Sequence, residues 1–261
     1  MNALKVENLR IGFAAEPPVL NDASWTLDAG GALGLLGASG SGKSLSALAI
    51  LGLLPNGAKI LGGKILFDGQ DLLTMDHETL RTQVRGRGIG LIFQEPFTAL
   101  NPLMRVGEQI AESLRLHQGL SQAAADQKAA TWLERVGLGP GAARARQYPH
   151  QLSGGMRQRA LIAIALAPQP RVLIADEPTT ALDATVQAQV LTLIDRLRVE
   201  LGFSLLIISH DLGVIRRLAD RAVVMEKGRV VEEGTVQQLT ASPQSAAAQR
   251  LMAEHHVLAG V

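Results

Sequence analysis

The segment Gly37-Ala38-Ser39-Gly40-Ser41-Gly42-Lys43-Ser44 constrains this chain more than any other stretch. It fits the pattern G-x-x-x-x-G-K-[ST] and stands between a short apolar run, 33–36, and a helix-like segment, 44–54. A glycine-rich turn between strand and helix lets successive backbone N–H groups turn inward around phosphate oxygens. The following helix presents its positive N-terminal end to the same anion. Lys43 then reaches the β- and γ-phosphates, and the Ser44 hydroxyl is placed to ligate Mg²⁺. The bland alternative is a Gly/Ser turn that only caps a helix. A strand before the turn and a helix after it argue against that reading.

Composition allows a folded core around this turn and removes several function classes. The chain has 261 residues, 47% hydrophobic and 19% charged, which is a globular balance. Lys plus Arg is 25 and Asp plus Glu is 24, so no basic excess exists to track a phosphate backbone. Aromatics are only 3%, too few for a base-stacking platform. No nucleic-acid partner is therefore expected. Cysteine is absent, which excludes disulfides, thiolate metal sites and thiol nucleophiles. The first ten residues carry no long apolar run, so no secretory signal is expected. The longest unbroken aliphatic run, 160–167, stops at Pro168, well short of the roughly 20 residues a spanning helix needs. The expectation is a soluble, cytoplasmic protein whose membrane role comes through a partner.

Strand-like runs recur along the chain. Segments 4–11 and 24–28 alternate apolar and polar residues. Segment 64–68 reads as a strand closed by Asp68-Gly69. Segments 89–93, 172–175 and 205–208 are strongly apolar, as central strands of a parallel sheet are. Segments 222–226 and 229–233 flank Lys227-Gly228 and suggest a hairpin. Between strands, Val186, Val190, Leu193, Ile194, Leu197 and Leu201 recur at helical spacing, with Asp183 as a plausible N-cap. This alternation predicts an α/β fold. From about Phe97 to Ala167 helical segments occur near 106–117, 122–136 and 154–167 without a convincing strand, and this region reads as a helical insertion. Trp132 fits its core. Residues beyond Thr240 suggest a short helical tail, and His255-His256 within it make a poor chelate without further ligands.

Two carboxylates end the run Val172-Leu173-Ile174-Ala175-Asp176-Glu177. Neighbours on a strand point to opposite faces, so the two acids are expected to do different jobs. Asp176 would hold Mg²⁺ directly or through water, and Glu177 would activate or orient the attacking water. The alternative is an acidic strand end with Glu177 capping the next helix. Gln94 follows the strand 89–93 and is placed to touch Mg²⁺ or the attacking water; His210 follows the strand 205–208 and Ser209 and is placed to hydrogen-bond a γ-phosphate. Gly37, Gln94, Asp176 and His210 all stand at carboxyl ends of strands, where ligands gather in parallel sheets.

A second glycine motif, Leu152-Ser153-Gly154-Gly155-Met156-Arg157-Gln158-Arg159, opens another helix. Ser153 is a good N-cap, and Gly154 and Gly155 expose backbone donors at the positive helix end. One nucleotide needs one P-loop, so this second element is expected to act on a nucleotide held by another chain.

At this point the chain resembles the ATPase subunit of an ATP-binding cassette (ABC) transporter. Residues 152–159 resemble that family's signature motif, 37–44 its Walker A motif and 172–177 its Walker B motif. Gln94 resembles its Q-loop glutamine, Ala181-Leu182-Asp183 its D-loop and His210 its switch histidine. The resemblance runs from residue 4 to about 240. It implies a P-loop NTPase core with a mixed, largely parallel sheet, an N-terminal antiparallel β subdomain and an inserted α-helical subdomain. The implied boundaries are 1–96 with 168–240 for the ATP-binding core, 97–167 for the insertion and 241–261 for the tail. It implies ATP and Mg²⁺ as ligands, with Ser44, Gln94 and Asp176 at the metal. It implies a head-to-tail dimer with an identical or paralogous ATPase, in which Ser153, Gly154 and Gly155 meet the partner's nucleotide and Asp183 links the two sites. Phe13 is the candidate to stack on adenine; the alternative is a packed or loop residue. The helical insertion would dock two integral membrane permease subunits, served indirectly by a substrate-binding protein, on the cytoplasmic face of the membrane.

The stretch Gln94-Glu95-Pro96-Phe97-Thr98-Ala99-Leu100-Asn101-Pro102 is similar to that of oligopeptide, dipeptide and nickel importer ATPases, with Glu95 where Asp is common. The short C-terminus is more like the nickel or metallophore branch. One alternative is a soluble ABC ATPase without a transporter. The short insertion, about 60 residues between Gln94 and Ser153, and the single cassette argue against it. Another is a non-hydrolysing module, which usually lacks the Glu, the His or part of the signature that this chain keeps.

Overall fold

The computed structural model describes residues 2–14, 17–93, 99–180 and 182–258. The chain forms two compact units, Met1–Arg81 with Phe203–Val261, and Thr82–Gly202. Gln94 to Thr98, with the Q-loop glutamine, and Ala181 of the D-loop lie outside the described residues, as do the side chains of His255 and His256.

The first unit begins with β1 (Asn2–Phe13), β2 (Leu20–Asp28), β3 (Ala32–Leu36), α1 (Lys43–Ile50), β4 (Ala58–Phe67) and β5 (Gln70–Asp71). Strands β2-β1-β4-β5 form an antiparallel sheet. Alternation in β1 buries Leu4 and Val6 and then Leu9 and Ile11, so its period of two slips by one residue. The slip is a bulge at Asn8, whose φ is 47° and whose N–H donates to Ser24 Oγ. Asp68 and Gly69 take φ of 49° and 80°, the paired positive values of a tight β4–β5 turn. Helix α1 ends earlier than its apolar pattern suggests, because Gly52 turns to φ 61° and Pro55 follows.

The second unit carries β6 (Ile89–Ile92), α2 (Val106–Gln118), α3 (Gln122–Arg135), α4 (Gly141–Ala145), α5 (Gly154–Leu166), β7 (Val172–Asp176) and α6 (Ala184–Leu201). Between residues 99 and 171 the described residues hold helices and no strand, as the sequence suggests. Trp132 is buried in α3, with the Arg135 guanidinium 4.9 Å from its ring centroid. Strands β6 and β7 pair in parallel, from Ile89↔Val172 to Ile92↔Ala175. In α6 the buried stripe is Val190, Leu191, Leu193, Ile194 and Leu197, while Val186 and Leu201 are half-buried.

The chain then returns to the first unit with β8 (Ser204–Ser209), α7 (Leu212–Leu218), β9 (Arg221–Glu226), β10 (Arg229–Thr235), α8 (Val236–Ala241) and α9 (Ala246–Leu258). Here β3 pairs in parallel with β8 on one side and β9 on the other, and β10 pairs antiparallel with β9. All five residues of β3 and all six of β8 are buried, which explains the apolar runs 32–36 and 205–208. The hairpin at Lys227-Gly228 is present, with φ of 48° and 77°. The helical tail is α9. Glu232 accepts hydrogen bonds from the N–H groups of Gln244 and Ser245 at its start. No helix among the described residues is long and apolar enough to cross a membrane.

Candidate active site

In the first unit the phosphate loop leaves the end of β3. Gly37 is the only residue type that fits its position: a Cβ there would stand 2.3 Å from Met225 O. Gly40 and Gly42 take φ of 77° and 99°, and Ala38, Ser39 and Gly40 are exposed, so the loop tip offers backbone to a ligand. Helix α1 starts at Gly42 with no side-chain cap and no acid in its first turn, which leaves its positive end uncompensated. Lys43 is 7% exposed, and its Nζ donates to Gly37 O at 2.7 Å, Ala38 O at 3.0 Å and Ser41 Oγ at 3.4 Å. The ammonium is thus bent back over the loop's concave side, where a phosphate oxygen would compete for it. Ser44 follows within the first turn, half-buried.

The loop is held from below by a turn far away in sequence. Gly228 N–H donates to Ser41 O at 3.2 Å, and Gly228 O accepts from Asn21 N–H at 2.8 Å. Sequence reasoning finds the Lys227-Gly228 hairpin but not this support. The only local signal is the Lys-Gly pair, which speaks of a turn and not of what the turn touches.

His210 lies on the same level as the phosphate loop. Leu36 and Ser209 are partners in the parallel pair β3–β8, so Gly37 and His210 leave neighbouring strand ends together. His210 is exposed. Its place is fixed on both sides, since Asp211 N–H donates to Ser209 Oγ at 3.0 Å and Asp211 Oδ1 caps α7 at Gly213 N–H, 2.7 Å. Phe13 ends β1, half-buried, beside Gly57 and paired with Ala58.

In the second unit β7 delivers the acid pair. Asp176 and Glu177 are each 9% exposed. Asp176 is the last residue of the strand, but Glu177 is not extended: its φ is 48°. Alternation on a strand therefore does not separate the two acids. A left-handed residue at the strand end does, and this uncommon conformation for a residue with a Cβ marks a site where strain is held. Thr180 Oγ1 donates to Glu177 Oε2 at 3.1 Å and Thr180 N–H to Glu177 O at 3.2 Å, so one threonine orients both ends of the residue. Thr180 is a neighbour of Glu177 that spacing alone does not single out.

Both proposed caps are in place. Ser153 Oγ accepts Met156 N–H at 3.4 Å at the start of α5, and Asp183 Oδ1 accepts Val186 N–H at 2.9 Å at the start of α6. Ser153 and Asp183 are exposed and Gly154 and Gly155 half-buried. Arg159 ties the two helices, donating to Val136 O at 2.9 Å and Gln189 Oε1 at 3.1 Å. The first unit thus brings together the phosphate loop and His210; the second holds Asp176 and Glu177 at the end of β7 and, separately, packs the Ser153–Gly155 turn against the start of α6, which Asp183 caps. Gln94, expected at the metal and the water, lies outside the described residues. In the first unit the uncapped helix end and the inward lysine suit the phosphates of a nucleotide; the Ser44 hydroxyl there, and by itself the buried Asp176 carboxylate of the second unit, are hard oxygens of the kind Mg²⁺ takes.

Known proteins resemble this chain in sequence and in fold. A family profile described as ABC transporter matches residues 20–180. The chain is 49% identical over 254 residues to the peptidoglycan transport ATP-binding protein YejF of Agrobacterium fabrum, covering 96% of this chain and 46% of that protein. It is 45% identical over 243 residues to the oligopeptide transport ATP-binding protein OppD of Salmonella typhimurium, covering 92% of this chain and 72% of that protein. It therefore spans about half the length of the first relative and nearly three quarters of the second. Among solved structures, a dimeric ATP-binding cassette in a post-hydrolysis state bound to ADP and Pi superposes with a TM-score of 0.78 at 29% identity, over 89% of this chain and 98% of that one. The cbiO1 protein of Clostridium perfringens, part of the transporter complex cbiONQ, gives a TM-score of 0.80 at 26% identity over 99% of both chains. The chain belongs to the ABC transporter family.

Proposed function

We propose that this chain hydrolyses Mg²⁺-ATP as one cassette of a head-to-tail dimer and so drives peptide import through two membrane subunits. The observation that carries the reading is the pair of anion-binding helix starts, α1 with Lys43 and α5 with Ser153. They are built separately and suit the two sides of a shared nucleotide. A second cassette, identical or paralogous, supplies the other half of each site. Peptide is the preferred cargo because the reported relatives carry oligopeptide and peptidoglycan transport in their names. Nickel or a metal chelate is the alternative, resting on the similarity of residues 94–102 to a group that includes nickel importer ATPases.

Each residue has a part. Gly37 to Gly42 turn their amides toward the phosphates, and Lys43 exchanges its loop carbonyls for phosphate oxygens. Ser44, Asp176 and Gln94 would hold Mg²⁺, which would supply positive charge against the phosphate oxygens. Glu177, oriented by Thr180, takes the proton of the attacking water. His210 donates toward the transferred phosphoryl group. Ser153, Gly154 and Gly155 meet the nucleotide bound by the partner, and Asp183 joins the two sites. Phe13 offers a ring to adenine. ATP acts as a ligand of the closed dimer, and its hydrolysis releases closure. The proposed organisation is a core of 1–96 with 168–240, a helical insertion of 97–167 and a tail of 241–261. The insertion is the docking region, and two exposed leucines within it, Leu103 and Leu116, suit contact with a membrane subunit at the cytoplasmic face.

The test is recovery of the tagged chain from solubilised membranes, with ATP hydrolysis measured on what accompanies it. Two integral membrane proteins and a second cassette are expected. Active chain without membrane partners would overturn the transport reading and favour a soluble ATPase.

A further inference from the structure

Leu103 is 86% exposed on a loop that is not loose. Gln109, only 8% exposed, accepts Asn101 N–H at 3.0 Å and donates to Asn101 O and Met104 O at 3.0 Å each. Asn101 Oδ1 accepts Leu103 N–H at 3.0 Å. A buried amide thus braces the loop from beneath while one large apolar side chain points outward. Such a loop transmits displacement rather than absorbing it.

The other end of this loop touches the segment that leads into the signature turn. Val106 N–H donates to Gln147 O at 2.9 Å. The Arg105 guanidinium lies 5.9 Å from the Tyr148 ring centroid, and Tyr148 stacks on His150 at 5.7 Å with the ring planes 10° apart. Residues 148–152 form a stiff turn: Tyr148 N–H donates to Gln151 Oε1 at 2.8 Å and Leu152 N–H to Pro149 O at 3.1 Å. Arg157, one turn into α5, clamps that turn by donating from Nε to Pro149 O at 2.8 Å and Leu152 O at 3.1 Å. Ser153 follows immediately. Contacts therefore run unbroken from Leu103 to Ser153 within one compact unit.

We infer that the Arg105–Tyr148–His150 stack links the exposed Leu103 loop to the signature serine, so that Arg105 and Tyr148 are positioning residues for Ser153. This rests on the proposed reading, in which a membrane subunit presses on the helical region and Ser153 meets the partner cassette's nucleotide. Arg105 and His150 are exposed and Tyr148 is half-buried, and aromatic and cation–π contacts so placed add little to folding stability, so their role here is to hold one loop in register with another. Arginine at 105 is suited to that role because its planar guanidinium stacks on a ring while its charge stays in water.

The test uses the assembled complex in lipid vesicles and the purified chain alone, each hydrolysing Mg²⁺-ATP; the quantity read is the ratio of the two rates. A wild-type ratio well above one, with hydrolysis lost in Glu177→Gln, establishes the underlying reading, so a change of the ratio in the variants then bears on the link alone. Tyr148→Ala and Arg105→Gln are each expected to lower the ratio about fivefold with KM for ATP unchanged. Tyr148→Phe is expected to preserve it, since stacking uses the ring and not the hydroxyl. Leu103→Ala combined with Tyr148→Ala is expected to be no worse than either alone, as for two points on one path. A ratio unchanged in Arg105→Gln, an exposed position where folding is not at stake, overturns the inference. So does a proportional fall in both rates, which a purely structural role would give, and so does additivity in the double variant.

Discussion

A Cβ on Gly155 would stand 2.4 Å from Cγ1 of Val186, so the second glycine of the signature turn is in contact with the first turn of α6. Asp183 caps that same turn. The signature element and the D-loop residue are therefore parts of one packed corner, and a methyl group is enough to push them apart. Gly155→Ala is expected to lower kcat about tenfold or more while leaving KM for ATP nearly unchanged. Helix propensity alone would favour alanine, so propensity is not the cause of a loss. Adding Val186→Ala should restore most of the activity, and failure of that rescue would place the cause elsewhere.

Lys43 holds three loop oxygens from a nearly buried position. Lys43→Met keeps the stem and removes the charge. Equilibrium binding should show affinity for Mg²⁺-ATP falling about 10- to 100-fold, the worth of one charge-assisted contact. Unchanged affinity would mean that the loop amides alone hold the phosphates.

Glu177→Gln keeps an oxygen for Thr180 to donate to and removes the base. Turnover should drop about 10²- to 10⁴-fold with ATP still bound. Light scattering should then show ATP-loaded dimers accumulating. Full turnover would remove Glu177 from proton transfer.

Gly228 has φ 77°, and a Cβ there would stand 2.0 Å from Val19 O. Gly228→Ala is expected to cost about 2–3 kcal/mol in urea unfolding. Because Gly228 N–H also donates to Ser41 O, ATP affinity should fall with stability. Loss of stability with intact affinity would show that the hairpin turn does not shape the phosphate loop.

Burial alone would raise the Glu232 carboxyl, but hydrogen bonds from the N–H groups of Gln244 and Ser245 and from Ser245's side chain outweigh it and hold the group below its ordinary value of 4.5. A depressed folded value means the anion secures α9 fully above that ordinary value and lets go as pH falls through the folded one. Hydrogen exchange over residues 246–253, relative to an unstructured chain at the same pH, should therefore become faster as pH falls below 4.5 and through the folded value. Glu232→Ala should show the same fast exchange at pH 7. Slow exchange in the variant would assign the docking of α9 to its buried Ala248 and Met252 instead.

Much of this molecule is legible in its sequence because the relevant signals are local. A strand, a glycine turn and a helix announce the phosphate loop within a dozen residues. Ser153 and Asp183 are readable as caps, since a cap bonds a backbone three residues away. Trp132 is readable as core because its neighbours repeat with helical period. The acid pair is readable in kind and not in geometry: the strand rule predicts alternation, and Glu177 leaves the strand in a left-handed turn that Thr180 holds.

What tertiary structure alone decided are the contacts between segments distant along the chain. Nothing near Gly228 says that its N–H reaches Ser41. Nothing near Gly155 names Val186, and nothing near Leu103 places Tyr148 at the other end of its loop. Local spacing sets φ, ψ and the direction of a side chain over a few residues. Which surfaces meet is set by close packing of the whole core, where the space left for one atom depends on segments that only folding brings together. The chemistry of this protein is therefore written in its motifs, and the stiffness that aims that chemistry comes from the fold.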